Sequence, residues 1–307
     1  MYNLDISEIK KSKLTETKNP DFIVIGAQKG GTTALFSLLA QHPDIYMPPQ
    51  KEIEFFSNEL LYQNGFDWYL SEFFQHVPQG SVLGEISPQY MFYKKVPPRI
   101  KKHIPTVKLI AILRNPIDRA YSHYRMSLRR GKAEVPFIDA IKKNANEKFI
   151  LDDNLVEHSS YYQFSCYSQI LSCYLKLFGT DQLLVLFQED LQYNPLHVLQ
   201  KLYSFLDVKN TLPGNPYQKM HQGGVKRFPR LENLILRNNP IRTFIKPLLS
   251  YKHRASLRFW IEQLNVKPVE DSGPTQEERL YLAEVFADEY AFIRNNFYQD
   301  PPWADWK

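Results

Sequence analysis

The segment from residue 22 to residue 43 carries the residue types that bind phosphate. It begins F-I-V-I-G-A-Q-K-G-G-T-T-A-L, an apolar strand followed by a glycine turn with one lysine and by the start of a helix. Glycines let backbone N–H groups approach phosphate oxygens, and a helix N-terminus adds partial positive charge. We therefore predict a phosphate-binding loop that contains Gly26, Gln28, Lys29, Gly30, Gly31, Thr32 and Thr33.

The residue order in this loop differs from that of a Walker loop. A Walker loop places lysine directly before its hydroxyl residue, whereas Lys29 precedes the glycine pair and Thr32 follows it. The order disfavours a kinase-like, Mg²⁺-dependent phosphotransferase, which stays open as an alternative function. A tight strand–helix turn that binds no ligand is the other interpretation of the same residues.

A second anion-binding feature follows the most apolar strand of the chain. The sequence V-K-L-I-A-I-L-R-N-P, residues 107–116, places Arg114 at the carboxyl end of that strand, and Ser122 lies eight residues further on. Ligands of doubly wound sheets bind at this end of the strands. An arginine and a hydroxyl can hold a phosphate there by charge-assisted hydrogen bonds. The ligand is therefore predicted to have two anionic ends.

The elements that position these residues alternate between strand and helix. Apolar runs at 21–25, 82 onward, 107–116 and 182–190 predict strands, and helical patterns follow them. This order predicts an α/β fold, a P-loop-like three-layer sandwich with a central parallel sheet flanked by helices. We expect one domain over 21–307, preceded by an arm at 1–20.

The positive charge of the chain is concentrated near its C-terminal third. The net charge of +5 favours a polyanionic ligand, and the segment 226–258 alone carries nine Lys and Arg residues against one acid, Glu232. We predict that the region at about 217–265 contributes to cofactor or acceptor binding. A solvated helix surface, or peripheral contact with a membrane, is the alternative.

The N-terminal sequence and the cysteines indicate a cytosolic protein. Residues 1–20 are polar and charged, without the apolar core of a secretory signal, and no run of about 18 apolar residues occurs. Cys166 and Cys173 lie two helical turns apart, too far for a disulfide, and show no metal-ligand spacing. We expect a cytoplasmic, reducing location and no metal site.

Taken together, these segments resemble the sulfotransferases that use 3′-phosphoadenosine 5′-phosphosulfate (PAPS). Residues 22–35 resemble the 5′-phosphosulfate loop of that family, and L-R-N-P-I-D-R-A-Y-S-H-Y, 113–124, resembles its 3′-phosphate motif. Two segments between them, K-E-I-E-F-F at 51–56 and G-E-I-S-P-Q-Y at 84–90, are similar to the heparan-sulfate branch and its bacterial relatives.

The resemblance implies in-line transfer of a sulfonate group from PAPS to a hydroxyl or amine. It implies that Lys29 stabilises the leaving oxygen, that Thr32 and Thr33 hold the 5′-phosphate, and that Glu52 is the general base. The alternative for Glu52 is a plain ion pair with Lys51 or Lys29. The family requires no metal.

Further roles come from the same resemblance. Tyr167 is expected near the adenine, although Ser165 stands where the family has a glycine, and Lys226 and Arg227 are expected in a loop that closes over the nucleotide. Ile86 occupies the position of a lysine in the heparan-sulfate enzymes, which argues against a glycosaminoglycan acceptor.

The acceptor is the least specified partner. We predict a glycan or small molecule that contacts Glu85, Phe56 and Tyr90, with no nucleic acid partner. For Glu85 a buried ion pair, and for the two aromatic residues a place in the core, are equally compatible with the sequence. A non-catalytic binder of anionic glycans or membrane surfaces, acting through 226–258, is the third candidate function.

Overall fold

A computed structural model describes residues 18–75, 77–145, 151–213, 273–297 and 300–306, and the backbone of 224–226 and 266–268. Most of the predicted arm and most of the basic region, including the Lys226 side chain and Arg227, therefore lie outside the described residues. The strands are β1 (Phe22–Gly26), β2 (Ile45–Tyr46), β3 (Val82–Ile86), β4 (Lys108–Leu113), β5 (Leu183–Phe187), β6 (Gly224–Lys226) and β7 (Val266–Pro268).

Helices connect and cover these strands. They are α1 (Thr32–Leu39), α2 (Glu59–Tyr62), α3 (Phe66–Phe73), α4 (Val96–His103), α5 (Pro116–Arg129), α6 (Phe137–Ala145), α7 (Tyr167–Phe178), α8 (Gln188–Tyr193), α9 (Pro195–Leu206), α10 (Gln276–Val285) and α11 (Ala287–Phe297). Short 3₁₀ helices occupy Pro88–Phe92, Gln163–Ser165 and Ala304–Trp306. No helix among the described residues is long and apolar enough to cross a membrane.

Five strands form one parallel sheet in the order β2-β3-β1-β4-β5. β1 lies in the centre, with Phe22 paired to Gly84 on one side and to Lys108 on the other. The strands that precede the two predicted phosphate motifs, β1 and β4, are thus neighbours. Their carboxyl ends lie at the same edge of the sheet, as the sequence predicted.

Alternate residues of the central strands face two separate apolar layers. Ile23, Leu109 and Val185 contribute to one layer, which helices α3, α4 and α7 cover. Val24 and Ile110 contribute to the other, which α1 and α9 cover. Because both faces of the sheet are buried, its central strands have continuous apolar sequences. The predicted three-layer sandwich is confirmed.

The C-terminal helices join the domain at α5. Leu282 and Phe286 pack with Ile117 and Ala120 in a third apolar cluster. The sequence predicts a single helix from Thr275 to about 295, whereas the structure has two, α10 and α11, which meet at Phe286. The sequence T-Q-E-E at 275–278 predicts a capping box. The box is present, since the Thr275 hydroxyl accepts from the Glu278 N–H and the Glu278 carboxylate accepts from the Thr275 N–H.

Candidate active site

The phosphate loop rests directly on the end of β4. The Ala27 N–H donates to the Ile112 carbonyl at 2.8 Å, and the Gly30 N–H donates to the Ala27 carbonyl at 2.9 Å. A Cβ atom at Gly30 would lie 2.4 Å from the Ile112 oxygen, so the loop needs glycine at this point. The close approach fixes the loop beside the residues that follow β4.

Lys29 brings an uncompensated cation into this loop. Its backbone is left-handed, with φ 70°, and its ammonium has no hydrogen-bond or ion-pair partner among the described residues. Burial, and then the charges of Arg129, Arg114 and other nearby arginines, lower the pKa of Lys29 to about 8. A cation that is desolvated and surrounded by like charges favours the binding of an anion.

Arg114 lies at the carboxyl end of β4, as predicted. The Tyr167 hydroxyl donates to the Arg114 carbonyl at 2.7 Å, which fixes the backbone where the strand ends. The Arg114 guanidinium is half-buried and has no hydrogen-bond partner in the described part of the chain. Ser122 lies further along, in α5, and is also half-buried. Both side chains remain available to a ligand.

Tyr167 itself is buried and does not face an open nucleotide pocket. Its ring has no exposed surface and lies 6.1 Å, between centroids, from that of Trp303. Burial raises the pKa of its hydroxyl, which stays protonated and donates to Arg114. Tyr167 therefore contacts the backbone of the 3′-phosphate motif. The expected contact with adenine would require exposed ring surface, which Tyr167 lacks.

Glu52 lies beside the phosphate loop and is paired with a lysine. Lys51 donates to the Glu52 carboxylate at 2.8 Å and to the Thr33 hydroxyl at 2.8 Å. The Glu52 side chain is 45% exposed, so it is open to solvent beside the loop. Its own backbone has φ 61°, a conformation that is unfavourable for a non-glycine residue and is found at functional sites. The ion pair with Lys51, left open by the sequence, is present.

Glu54 lies on the same segment and is half-buried. Its N–H donates to the Ser87 hydroxyl at 3.1 Å, and its backbone is also left-handed, with φ 60°. Burial, together with the negative charges of Glu52 and Glu157, raises the pKa of its carboxyl group. Three carboxylates therefore lie near one another on this side of the loop.

Glu85 is a buried, hydrogen-bonded carboxyl group. The hydroxyls of Tyr69 and Ser87 donate to it, the latter at 2.9 Å, and no cation contacts it among the described residues. Burial raises the pKa of Glu85, against the opposing effect of these hydroxyls. With 1% of its surface exposed, Glu85 has almost no surface for the predicted contact with an acceptor, so that prediction is corrected. The alternative of a buried ion pair is also wrong for the part of the chain described.

The two aromatic residues predicted to contact the acceptor lie in the core instead. Phe56 and Tyr90 have no exposed surface, and their rings contact each other edge to face at 5.6 Å. The prediction of an open contact surface is thus corrected, because these rings fill the apolar layer under α3. Ile86 is also buried, at 2% exposed, against the layer that α1 covers.

Sequence reasoning missed two charged residues of the site. Glu157 accepts from the Gln28 side chain at 2.7 Å and from Arg130 at 3.3 Å, so it fixes one wall of the loop. Arg119 is fully buried and donates to the Ser165 hydroxyl and the Tyr161 carbonyl, both at 2.6 Å. Arg119 lies within the 3′-phosphate motif, and its helical spacing there could have identified it as a site residue. The sequence around Glu157 contains no comparable pattern.

No group of three or more His, Cys, Asp or Glu side chains in the described residues has a metal-binding arrangement. The metal-free mechanism remains a prediction from the sequence. Cys166 and Cys173 are both free thiols.

The comparison with known protein families covers both phosphate motifs. Residues 19–227 match the sulfotransferase domain, which is more than half of the chain. The chain belongs to the sulfotransferase family. The match includes the phosphate loop, the segment with Glu52 and the motif that begins at Arg114.

Relatives of this chain include enzymes named for heparan sulfate. It is 34% identical over 196 residues to heparan sulfate glucosamine 3-O-sulfotransferase 5 of Mus musculus, a match that covers 62% of this chain and 54% of that one. It is 33% identical over 214 residues to the human bifunctional heparan sulfate N-deacetylase/N-sulfotransferase 3, covering 66% and 24%. The chain thus spans about half the length of the 3-O-sulfotransferase it matches.

Among solved structures, the fold is similar to that of a bacterial sulfotransferase. The structure from Alicyclobacillus acidocaldarius superposes with a TM-score of 0.55 at 27% identity and covers 80% of this chain and 96% of its own. The parallel sheet and its covering helices are therefore those of the sulfotransferase fold.

Proposed function

We propose that this protein transfers a sulfonate group from PAPS to a hydroxyl or amine of a glycan or small-molecule acceptor. The observation that carries the proposal is the pair of unpartnered cations among the described residues, Lys29 and Arg114, at the ends of adjacent parallel strands. A ligand with one anionic group at each end matches this pair. Loop order and family membership favour the phosphosulfate nucleotide over ATP.

When bound, PAPS supplies the sulfonate group that is transferred. The loop amides and the hydroxyls of Thr32 and Thr33 would hold its 5′ end, and Arg114 and Ser122 would hold its 3′-phosphate. Lys29 would supply positive charge to the leaving oxygen, where negative charge would develop during transfer. Glu52 accepts the proton of the acceptor group. Catalysis thus consists of positioning and electrostatic stabilisation.

The acceptor class follows from the side of the loop that carries Glu52. The relatives named for glucosamine sulfonation support a glycan acceptor. Apolar Ile86, however, replaces the lysine of the heparan-sulfate enzymes, and Glu54 and Glu157 add negative charge nearby. These residues favour an acceptor with fewer anionic groups than heparan sulfate, because a polyanion would be repelled here. Cytosolic location and membrane contact through 226–258 remain predictions.

Calorimetric binding of adenosine 3′,5′-bisphosphate (PAP), the desulfonated product, tests the proposed function. We expect metal-free binding of PAP in preference to ATP with Mg²⁺, and at least tenfold weaker PAP binding by Arg114→Ala, because one charge-assisted contact is lost. Arg294→Ala is the matched control, since Arg294 is an exposed arginine that pairs with Asp300. Preference for ATP with Mg²⁺ would assign a kinase-like function instead.

A further inference from the structure

One lysine connects the phosphate loop to the proposed base. The Lys51 ammonium lies 2.8 Å from the Thr33 hydroxyl, in the first turn of α1, and 2.8 Å from the Glu52 carboxylate. The Lys51 side chain is 22% exposed, so its charge is only partly screened by water. The structure thus divides one positive charge between the anion site and the base.

The backbone of Glu52 is fixed, so the ion pair can change only through side chains. The Glu52 N–H donates to the Ile86 carbonyl at 3.0 Å, at the end of β3. The following residues are anchored as well, through the Glu54 N–H and the Ser87 hydroxyl. Movement of the Lys51 ammonium toward the loop therefore loosens its contact with the Glu52 carboxylate without moving the peptide.

A phosphate-bearing ligand beside Thr33 competes with Glu52 for this ammonium. When two anions share one cation, each weakens the interaction of the other with that cation. The coupling free energy is the same in both directions. A base that is released from its ion pair is better able to take a proton from the acceptor. Glu52 would then be most available when the donor nucleotide is already in place.

We infer that Lys51 is a positioning residue that couples occupancy of the phosphate loop to release of Glu52. The inference rests on the proposed function, since it needs an anionic nucleotide at Thr33 and a base at Glu52. It implies that the donor binds before the acceptor becomes reactive. An acceptor that enters first meets a carboxylate still held by Lys51.

A double-mutant cycle on PAP affinity tests this coupling without any need for the acceptor. Calorimetry would compare the wild type, Lys51→Met, Glu52→Gln and the double variant. We expect Lys51→Met to weaken PAP binding about fivefold and Glu52→Gln to tighten it about threefold, because an uncharged amide leaves the ammonium free for the phosphate. In the Lys51→Met background the gain from Glu52→Gln should shrink at least twofold.

Two further variants separate positioning from general charge effects. Lys51→Arg keeps a cation that can reach both partners, so the threefold gain from Glu52→Gln should return in that background. The control pair is Lys95 and Glu59, which lie 3.7 Å apart with 25% and 52% of their side chains exposed. Lys95→Met and Glu59→Gln change the same charges and should alter PAP affinity less than twofold.

The possible failures are distinguishable. If PAP binds and the two substitutions are additive, the coupling through Lys51 is overturned while the proposed function stands. Additivity means that Glu52→Gln raises PAP affinity equally with and without Lys51. Such a gain would reflect direct repulsion between the Glu52 carboxylate and PAP. If the wild type does not bind PAP at all, the proposed function fails and the inference fails with it.

Discussion

Lys29 shows how a single residue acquires its chemistry from its surroundings. The loop buries its side chain beside several arginines, and no carboxylate contacts its ammonium among the described residues. Both the burial and the neighbouring positive charges lower the free energy cost of losing the proton. The ammonium is therefore charged at neutral pH but close to its titration range.

The affinity for PAP should depend on the protonation of Lys29. In the free protein its pKa is about 8, so the cation is present at pH 7 and largely lost at pH 9. Because only the protonated form attracts the phosphate, we expect PAP affinity to fall about tenfold over this interval. Calorimetry at pH 7, 8 and 9 measures it, with Lys29→Met as control.

In Lys29→Met, affinity should be lower at pH 7 and nearly constant up to pH 9. A wild-type affinity that is equally constant would show that Lys29 does not titrate in this range or does not contact the phosphate.

At the level of residues, the sequence predicts what local motifs determine and fails where contacts are distant. Lys29 and Arg114 were identified because each follows a strand within a short pattern. For Phe56 and Tyr90 the sequence left acceptor contact and the core equally open, because periodicity cannot say which apolar face α3 will cover. Glu157 was missed because its partner Gln28 lies 129 residues away.

Among the elements, α11 and α7 are joined by a buried carboxyl group. Glu289 in α11 accepts from the Ser168 N–H at 2.6 Å and from the Ser168 hydroxyl at 3.0 Å, in the first turn of α7. A carboxylate at a helix N-terminus is favourable. Burial dominates nevertheless, and the pKa of Glu289 rises to about 7.

This raised pKa predicts a stability that falls as pH increases. Between the unfolded value of 4.5 and about 7, the folded protein binds more protons at Glu289 than the unfolded chain does. The free energy of unfolding should therefore decrease across that window, by up to about 3 kcal/mol above pH 7 relative to pH 4. Urea unfolding at pH 5, 6, 7 and 8 measures the decrease.

Glu289→Gln is the comparison that isolates this group from other titrations. The variant should lose less stability than the wild type between pH 5 and pH 8, since its amide does not ionise. Parallel curves for the two proteins would contradict the assignment.

The elements themselves were mostly predictable, and their ends were less so. β4 and α5 were expected because an apolar run passes into N-P, a helix start in which Asn115 accepts from the Ile117 N–H. The predicted strand at 182–190 stops at Phe187, where α8 begins without a loop. The residues Q-E-D at 188–190 are compatible with a first helical turn and with a strand end, so the sequence does not determine where the strand stops.

On the scale of the whole molecule, the C-terminal segment holds the 3′-phosphate motif. Asp305 accepts from the Asn115 amide at 2.6 Å and from Arg279 at 3.0 Å. Arg279 also donates to Asp118 at 2.8 Å, in the first turn of α5. The Asp305 carboxylate thus joins the start of α5, beside Arg114, to α10, which is distant in the sequence. Long-range contacts of this kind leave no sequence pattern, so none was predicted.

Asp305→Ala should weaken both the fold and PAP binding. It leaves the Asn115 amide without its acceptor and removes one of the two carboxylates that pair with Arg279, since Asp118 stays in place. We expect this to cost about 1–3 kcal/mol. Because Asn115 directly follows Arg114, PAP affinity should fall severalfold. Chemical unfolding and calorimetry measure the two effects.

The matched control is Asp300→Ala, which removes a carboxylate from an exposed pair with Arg294. It should cost less than about 1 kcal/mol and leave PAP affinity unchanged. Equal effects of the two substitutions would show that Asp305 acts only as surface charge.

The strand order has a consequence for how the protein is made. Among the described strands, β1 pairs with two that follow it after long crossovers, β3 and β4, and Phe22 pairs with Lys108. Contacts so distant in sequence form slowly, because a large loop must close before they contribute. A chain emerging from the ribosome therefore carries its phosphate loop long before it carries β4. Nucleotide can stabilise only molecules in which the centre of the sheet is already assembled.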